Sequence, residues 1–306
     1  MNTDRKLVLV TRHTRLYELK QKYGTLGQAK FYIEHLGESF EQYEVEDVLF
    51  QQAYKQVVSL LKETGRVQQL DRSYLPTYQF SRDDIVVVLG QDGLVANTLK
   101  YLDGQSVIAI NPLPQNFDGV LLPFIVSDLP QVLGDVLADK MNHKTISMAE
   151  ATTNLGDRLL AVNDLFIGPK SHTSARYELE WNGQRESHSS SGVIVSTGLG
   201  STGWFKSLIA GASGIAGQPV CQKLAEGFAW DSAYLYYTVR EPFPSQVSKT
   251  DLVFGKVDAG RPLLVTSKMA ENGVIFSDGL EHDYLNFTAG VTATIKVSDT
   301  QGVLVV

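Results

Sequence analysis

The sequence predicts an α/β domain built on a parallel sheet, followed by an all-β domain, and three observations carry that reading. Short, continuous β-branched runs near the start, "KLVLVT" (6–11), "DDIVVVLG" (83–90) and "SVIAIN" (106–111), alternate with helical patterns. Strands that are apolar on both faces and separated by helices belong to a parallel sheet covered on both sides. From about residue 126 onward, nearly every segment is short, alternating or β-branched and bounded by Gly, Asn, Asp or Ser, as in antiparallel strands joined by turns. Length agrees: the chain has 306 residues, 43% hydrophobic and 20% charged, and single cores stop growing near ~250–300 residues.

In the first part, "LYELKQKYG" and "LGQAKFYIEHLG" space their apolar residues at helical period and each ends at Gly. "DVLFQQAYKQVVSLLKETG" (47–65) is the clearest amphipathic helix, with Val48, Leu49, Ala53, Val57, Leu60 and Leu61 assigned to one side. "LVANTLKYLDG" reads as the helix after the second strand, and "SDLPQVLGDVLADKM" as a further helix. The strands of the second part include "TISMAEATTN", "RLLAVNDLFIG", "ARYELEWNG", "GVIVSTG", "AYLYYTVREPF", "NGVIFSDG" and "VTATIKVSD", with one helix around "GWFKSLIAGASGIAG". "SHSSSG" (187–192) reads as a mobile loop. The expected domains are 1–126 and 127–290, with 291–306 returning to the first through "GVLVV".

Charge and composition remove several function classes. A net charge of −7 argues against a broad grip on nucleic acid, although backbone N–H groups can still bind an anion locally. A lone Cys221 makes no internal disulfide and no zinc site. No long uncharged apolar run occurs to span a membrane, and "MNTDRKLVLVTRH" enters a strand pattern without a secretory leader, so a soluble cytoplasmic protein is expected. His13, His35, His143, His172, His188 and His282 form no metal spacing and read as surface or loop residues.

Three motifs carry chemistry. In "LGQDGLVAN" a strand passes through a glycine turn into a helix, which gathers backbone N–H groups near a helix N-terminus, as phosphate requires. Gly90 and Gly93 let the backbone approach a ligand. Asp92 makes sense there if it accepts a proton from a hydroxyl that attacks a phosphoryl group; a plain "DG" turn is the competing reading. In "VNDLFIG", Asn163 and Asp164 offer an amide and a carboxylate to a ribose diol, or form a satisfied turn. In "VIVSTGLGSTGW", Ser196, Thr197, Ser201 and Thr202 supply hydroxyls, Gly198, Gly200 and Gly203 allow close approach, and Trp204 walls a base pocket or joins the core. Arg12 and Arg15 follow the first strand at its carboxyl end, where open α/β sheets bind ligands, and are candidate phosphate binders; a solvated loop is the competing reading. Arg240 and Glu241 read as a surface ion pair.

In this order the motifs resemble the NAD kinase family, whose marks are a Gly-Gly-Asp-Gly turn, an Asn-Asp/Glu pair and a Thr-Gly-Ser-Thr loop. The likeness is to the mitochondrial-type branch. It extends over "TRHTRLYELKQKYG", "VIAINPLPQNFDGVLLPF" (107–124), "AVNDLFIGPKSHTSARYELE", "YTVREPF" and "VIFSDG". The resemblance implies a Rossmann-like N-terminal α/β domain and a C-terminal, β-sandwich-like all-β domain with the active site in the cleft between them. It also implies transfer of the ATP γ-phosphoryl group to the 2′-hydroxyl of the adenosine ribose of NAD, with Mg²⁺ held mainly by phosphates, and a homodimer or homotetramer. Asp92 matches the family's proton acceptor, Asn163 and Asp164 its dinucleotide-holding pair, and Gly200, Ser201, Thr202 and Trp204 its NAD-pocket loop; Gly90, Gln91, Gly93, Thr197 and Gly198 complete the implied nucleotide site. Whether NAD or NADH accepts, and ATP or polyphosphate donates, stays open.

The departures are Gln91 for the family's second glycine, Leu94 for the following threonine, and Leu199 before Gly200. A glutamine held at φ > 0 would carry strain of ~1–3 kcal/mol. A working kinase with an altered phosphate cradle is the first reading. A catalytically inactive dinucleotide sensor or scaffold, or a kinase with a sugar or lipid acceptor, are the alternatives.

Overall fold

A computed structural model describes residues 3–116 and 119–306; Phe117 and Asp118, inside the 107–124 motif, lie outside the described residues. The chain divides into two compact units, residues 1–144 with 303–306, and residues 145–302.

The first unit opens with β1 (Thr3–Thr11), α1 (Arg15–Tyr23), α2 (Leu26–His35) and α3 (Phe40–Thr64). It continues with β2 (Gly65–Asp71), β3 (Ile85–Leu89), α4 (Asp92–Leu99), β4 (Ser106–Asn111), β5 (Phe124–Ile125) and α5 (Leu129–Leu137). The sheet is parallel, in the order β2-β1-β3-β4. Beyond β4, Phe124 and Ile125 pair with its end and Val303 and Leu304 with its start. Leu7, Leu9, Ile85, Val87, Leu89, Ile108 and Ile110 share one core with Val57 and Leu61 of α3 and Leu129, Val132 and Leu133 of α5. Val8, Val86, Val88 and Ala109, which alternate with them, are equally buried, and α4 packs on β3 and β4. Both faces are therefore covered, the reason the strands read as unbroken apolar runs.

Three features of this unit differ from the sequence reading. The unit boundary falls at 144/145 rather than 126/127, because α5 sends its apolar face into the first core. Strand β2 was not anticipated: it lies at the sheet edge, and its alternating polar sequence leaves Gln68 and Gln69 exposed. Helix α3 starts seven residues earlier, at Phe40, and buries Ala53, Val57 and Leu61, while Val48 and Leu49 are 54% and 42% exposed on another face.

The second unit contains β6 (His143–Thr153), β7 (Arg158–Ala161), β8 (Asp164–Pro169), β9 (Ala175–Trp181), β10 (Gln184–Ser190) and β11 (Val193–Ser196). After α6 (Trp204–Ala216) come β12 (Tyr234–Val239), β13 (Phe254–Asp258), β14 (Leu263–Ser267), β15 (Gly273–Ser277), β16 (Tyr284–Asn286) and β17 (Thr292–Val305), whose last residues, from 303 on, belong to the first unit. One antiparallel sheet runs β13-β12-β11-β8-β15-β16; the other joins β10, β9, β14 and β17, with β6 and β7 attached. Alternate residues build the core between them: Leu165, Ile167, Val193 and Val195 from the first meet Tyr177, Leu179, Val265 and Ile295 from the second. Phe166, Ile194, Val274 and Phe276 face the other way and pack under Trp204 and Leu208 of α6.

The 187–192 segment is not a loop. Residues 187–190 lie in β10, register-matched to β9 from Gln184↔Trp181 to Ser190↔Ala175. His188 is correspondingly interior, with its ring stacked on Tyr177 at 5.3 Å and Nε2 3.1 Å from Glu186. Burial lowers its pKa and Glu186 opposes that shift. Among the described residues no helix is long and apolar enough to cross a membrane.

Candidate functional site

In the first unit the chain leaves β1 for β2 on one side, then returns past β1 to β3 on the other. The order therefore reverses between β1 and β3, and segments leaving neighbouring strands there diverge into a ligand-accepting crevice. Arg12 follows β1 and Gln91 follows β3; Arg12 Nη1 donates to Gln91 Oε1 at 3.3 Å. Gln91 has φ −114° and ψ 165°, so the left-handed strain considered for this position does not arise. Its side chain fills the crevice instead. The hollow bounded by Arg12, Arg15, Glu46, Gly90, Gln91 and Pro112 measures about 20 Å³, room for about one water.

Asp92 is the first residue of α4 and is half-buried. Its Oδ1 accepts from the Leu121 amide at 2.8 Å and its Oδ2 from the Val120 amide at 3.2 Å. A carboxylate offers about four lone-pair sites, so two bonds fix it in place and leave capacity for a hydroxyl proton. Leu94 is 2% exposed, and its Cδ2 sits 2.7 Å from where a Cβ on Gly90 would stand; a larger residue at 90 would have to push the end of the Leu94 side chain aside.

The two arginines separate. Arg15 donates through Nε to Glu46 Oε2 at 2.9 Å, pairs through Nη2 as well, and lies over Tyr43 at 4.7 Å. Glu46 is buried, so Arg15 neutralises an interior carboxylate. Arg12 has no carboxylate partner among the described residues. It also lines a 540 Å³ cleft at the carboxyl ends of β1 and β2, with Lys20, Tyr17, Tyr54, Gln69 and Asp71 around it. The carboxylates of Asp47 and Asp71 offset the two cations there, and with the aromatic rings and amides the lining suits a polar aromatic small molecule.

In the second unit the Asn163–Asp164 turn lies at the start of β8. Thr197 Oγ1 donates to the Val162 carbonyl at 2.6 Å and contacts the Asn163 carbonyl at 3.1 Å, and the Thr197 amide donates to the latter at 2.9 Å. Asp278 holds the amide side: its carboxylate accepts from Val162, Asn163 and Asp164. Asp164 is 8% exposed, and burial, then the Asp278 charge, push its pKa up to about 7. Neither its carboxyl nor the Asn163 carboxamide has a hydrogen-bond partner among the described residues. An unpartnered interior carboxyl whose pKa lies near neutrality marks a candidate ligand site.

The 197–203 loop is drawn against this turn. A Cβ on Gly200 would lie 2.0 Å from the Asn163 carbonyl oxygen, and one on Gly198 would lie 1.9 Å from that of Ala229. Close packing against the chain's own backbone thus requires both glycines. The Ser201 hydroxyl donates to the Gly198 carbonyl at 2.6 Å and accepts from the Phe228 amide at 3.0 Å. Ser196, Thr197 and Ser201 are fully buried, whereas Thr202 is exposed. Trp204 is half-buried, stacked on Phe166 at 5.9 Å with the Arg240 guanidinium 5.2 Å from its ring. Arg240 and Glu241 are not a surface ion pair: Glu241 accepts from the Ser191 hydroxyl, and Arg240 turns to Trp204.

The first unit thus gathers Arg12, Gly90, Gln91 and Asp92, and the second gathers Asn163, Asp164, Thr197, Gly198, Gly200 and Ser201. Sequence reasoning assigned no role to Asp278; its only local signal is the Asp-Gly doublet ending "VIFSDG". No protein-family model and no curated protein matches the chain. Solved structures do. An NAD kinase from Archaeoglobus fulgidus, in complex with ATP, aligns with a TM-score of 0.56 at 15% identity over 98% of this chain and 92% of its own. Yeast NADH kinase complexed with NADH aligns with a TM-score of 0.57 at 14% identity over 99% of this chain and 84% of its own. At this identity the likeness is one of fold: a parallel α/β unit plus an antiparallel β unit, as in NAD kinases.

Proposed function

We propose that the chain is an NAD kinase-like phosphotransferase that moves the ATP γ-phosphoryl group to the 2′-hydroxyl of the adenosine ribose of NAD, giving ADP and NADP. The observation that carries this reading is the Asp92 carboxylate, fixed by two backbone amides at the strand-order reversal of a fold shared with NAD kinases. A general base needs that immobility, since phosphoryl transfer rests on positioning the nucleophile against the donor.

In this reading Asp92 takes the hydroxyl proton, Arg12 meets the phosphates, and Gly90, Gln91 and Gly93 form the turn beneath them. Arg15, engaged by Glu46, supports this edge rather than touching phosphate. Asn163 and Asp164 hold the dinucleotide ribose, and the 197–204 loop, with Thr202 and Trp204 as its accessible members, lines the dinucleotide pocket. Among the described residues no three His, Cys, Asp or Glu side chains form a metal cage, so Mg²⁺ would bind through the triphosphate oxygens and supply charge neutralisation there.

The Arg12–Gln91 bond favours a second reading, in which the crevice is occupied by the protein itself and dinucleotide is bound without turnover. Incubation with ATP, Mg²⁺ and NAD, followed by an NADP-specific dehydrogenase, decides between them. NADP formation supports the kinase. NAD-dependent thermal stabilisation without NADP supports the binder, and the absence of both results overturns the nucleotide assignment.

A further inference from the structure

We propose that Asp278 is a positioning residue for the dinucleotide, clamping the 162–164 turn so that Asn163 and Asp164 are held ready for a ribose diol. This rests on the reading that the turn holds the dinucleotide. Asp278 follows β15 with φ 55°, and Gly279 follows with φ 71°. Left-handed backbone is costly for a residue with a side chain, and Asp is among the few that adopt it, usually where its carboxylate bonds nearby backbone.

Here the bonding reaches across the sheet rather than along the chain. The Asp278 amide donates to the Asp164 carbonyl at 3.0 Å. In return Oδ1 accepts from the amides of Val162 at 3.1 Å, Asn163 at 2.6 Å and Asp164 at 3.3 Å, and Oδ2 takes a further contact from Val162 at 3.1 Å. Three successive N–H groups converging on one oxygen form a concave anion site, filled by the chain's own carboxylate. Thr197 holds the carbonyls of Val162 and Asn163 from the other side.

The peptide units of the turn are therefore fixed through both their donors and their acceptors, while the two side chains they carry are unpartnered among the described residues. Asn163 is half-buried and the Asp164 oxygens are not among the solvent-sealed atoms without a partner, so both side chains stay within reach of a ligand while their backbone is held. A backbone locked around two waiting polar groups is the arrangement that lowers the ordering cost of binding. The Asp278 charge also acts on Asp164 directly, second to burial in raising its pKa.

The test is Asp278→Asn, which keeps the shape and removes the charge that strengthens the three N–H bonds. Amides 162–164 are expected to exchange hydrogen at least ~10-fold faster. The KM and Kd for NAD are expected to rise ~5- to 20-fold, with the KM for ATP and the tryptophan-fluorescence melting transition little changed. Faster exchange with an unchanged NAD affinity, or unchanged exchange, overturns the inference. Should Asp278→Asn not fold, Asp278→Glu reads the same point: the charge stays, the arm is too long, the KM for NAD rises by a similar factor, and an unchanged KM overturns it. Wild-type protein that binds no NAD at all refutes the underlying functional reading instead, so the two failures are told apart.

Discussion

Replacing Asp164 by Asn should stabilise the second unit at neutral pH while weakening it as a dinucleotide site. The folded chain holds this carboxyl at about 7 against 3.8 for the ordinary group. Because the folded pKa is the higher one, the native state binds more protons than the unfolded chain between those values. Stability therefore falls as pH rises through that window, by at most ~1.4 kcal/mol per pH unit. The penalty is absent below about pH 4 and complete above about pH 7, where it reaches about 4 kcal/mol. The Asp164→Asn variant escapes it, and any cost of burying a carboxamide is constant with pH. Trp181, Trp204 and Trp230 all lie in the 145–302 unit, so urea unfolding followed by tryptophan fluorescence reports on this unit. With a slope of ~2 kcal/mol per M, the midpoint of Asp164→Asn should exceed wild type by about 2 M at pH 8 and by little at pH 4.5. If the carboxylate receives a ribose hydroxyl, NAD affinity should fall ~10-fold or more. Parallel wild-type and variant stability curves from pH 4.5 to 8.5 would refute the assignment of a strained interior carboxyl at this turn.

Gly200→Ala forces a methyl group to within 2.0 Å of the Asn163 carbonyl; the loop must move, at ~1–3 kcal/mol or more, and both the tryptophan melting temperature and NAD affinity should drop. Gly93→Ala is the contrasting case. It meets nothing within 4 Å and sits in the first turn of α4, so stability should rise by ~0.5–1 kcal/mol. The kcat/KM for ATP should nevertheless fall if the backbone there approaches phosphate. Gln91→Gly opens the crevice and frees Arg12 from its 3.3 Å bond; the KM for ATP should fall by about fivefold to tenfold, and Arg12→Ala should raise it by ~10-fold or more. A KM for ATP indifferent to both changes removes phosphate from this crevice.

The parallel strands were legible because burial on both faces demands uninterrupted β-branched residues, which few other structures need. Two edge strands, β2 and β10, escaped for the complementary reason: β2 needs few apolar residues, and β10 turns Glu186, His188 and Ser190 inward, so "SHSSSG" carries a loop's composition on a strand's geometry. Helix α3 was recognisable as amphipathic, but Val45, Val48 and Leu49 form a second apolar stripe, and periodicity alone does not say which stripe meets the sheet. The glycine turn, the Asn-Asp pair and the hydroxyl loop were visible as motifs. The bonding of their side chains was not, because Arg15–Glu46, Arg12–Gln91 and Asp278 with the 162–164 amides join residues 31, 79 and about 115 positions apart. The Thr197 and Ser201 hydroxyls, offered by the sequence to a ligand, are used to tie their own loop down.

Single-turnover transfer from γ-labelled ATP to NAD, with enzyme in excess, compares wild type most directly with Asp92→Asn, which keeps the shape and retains an acceptor oxygen for one of the Val120 and Leu121 amides. The expected result is label in NADP for wild type and a ~10²- to 10⁴-fold slower transfer for the variant, with NAD affinity within about threefold. Transfer by Asp92→Asn within tenfold of wild type, or a wild type that binds NAD and yields no labelled NADP, would contradict the role given to this carboxylate.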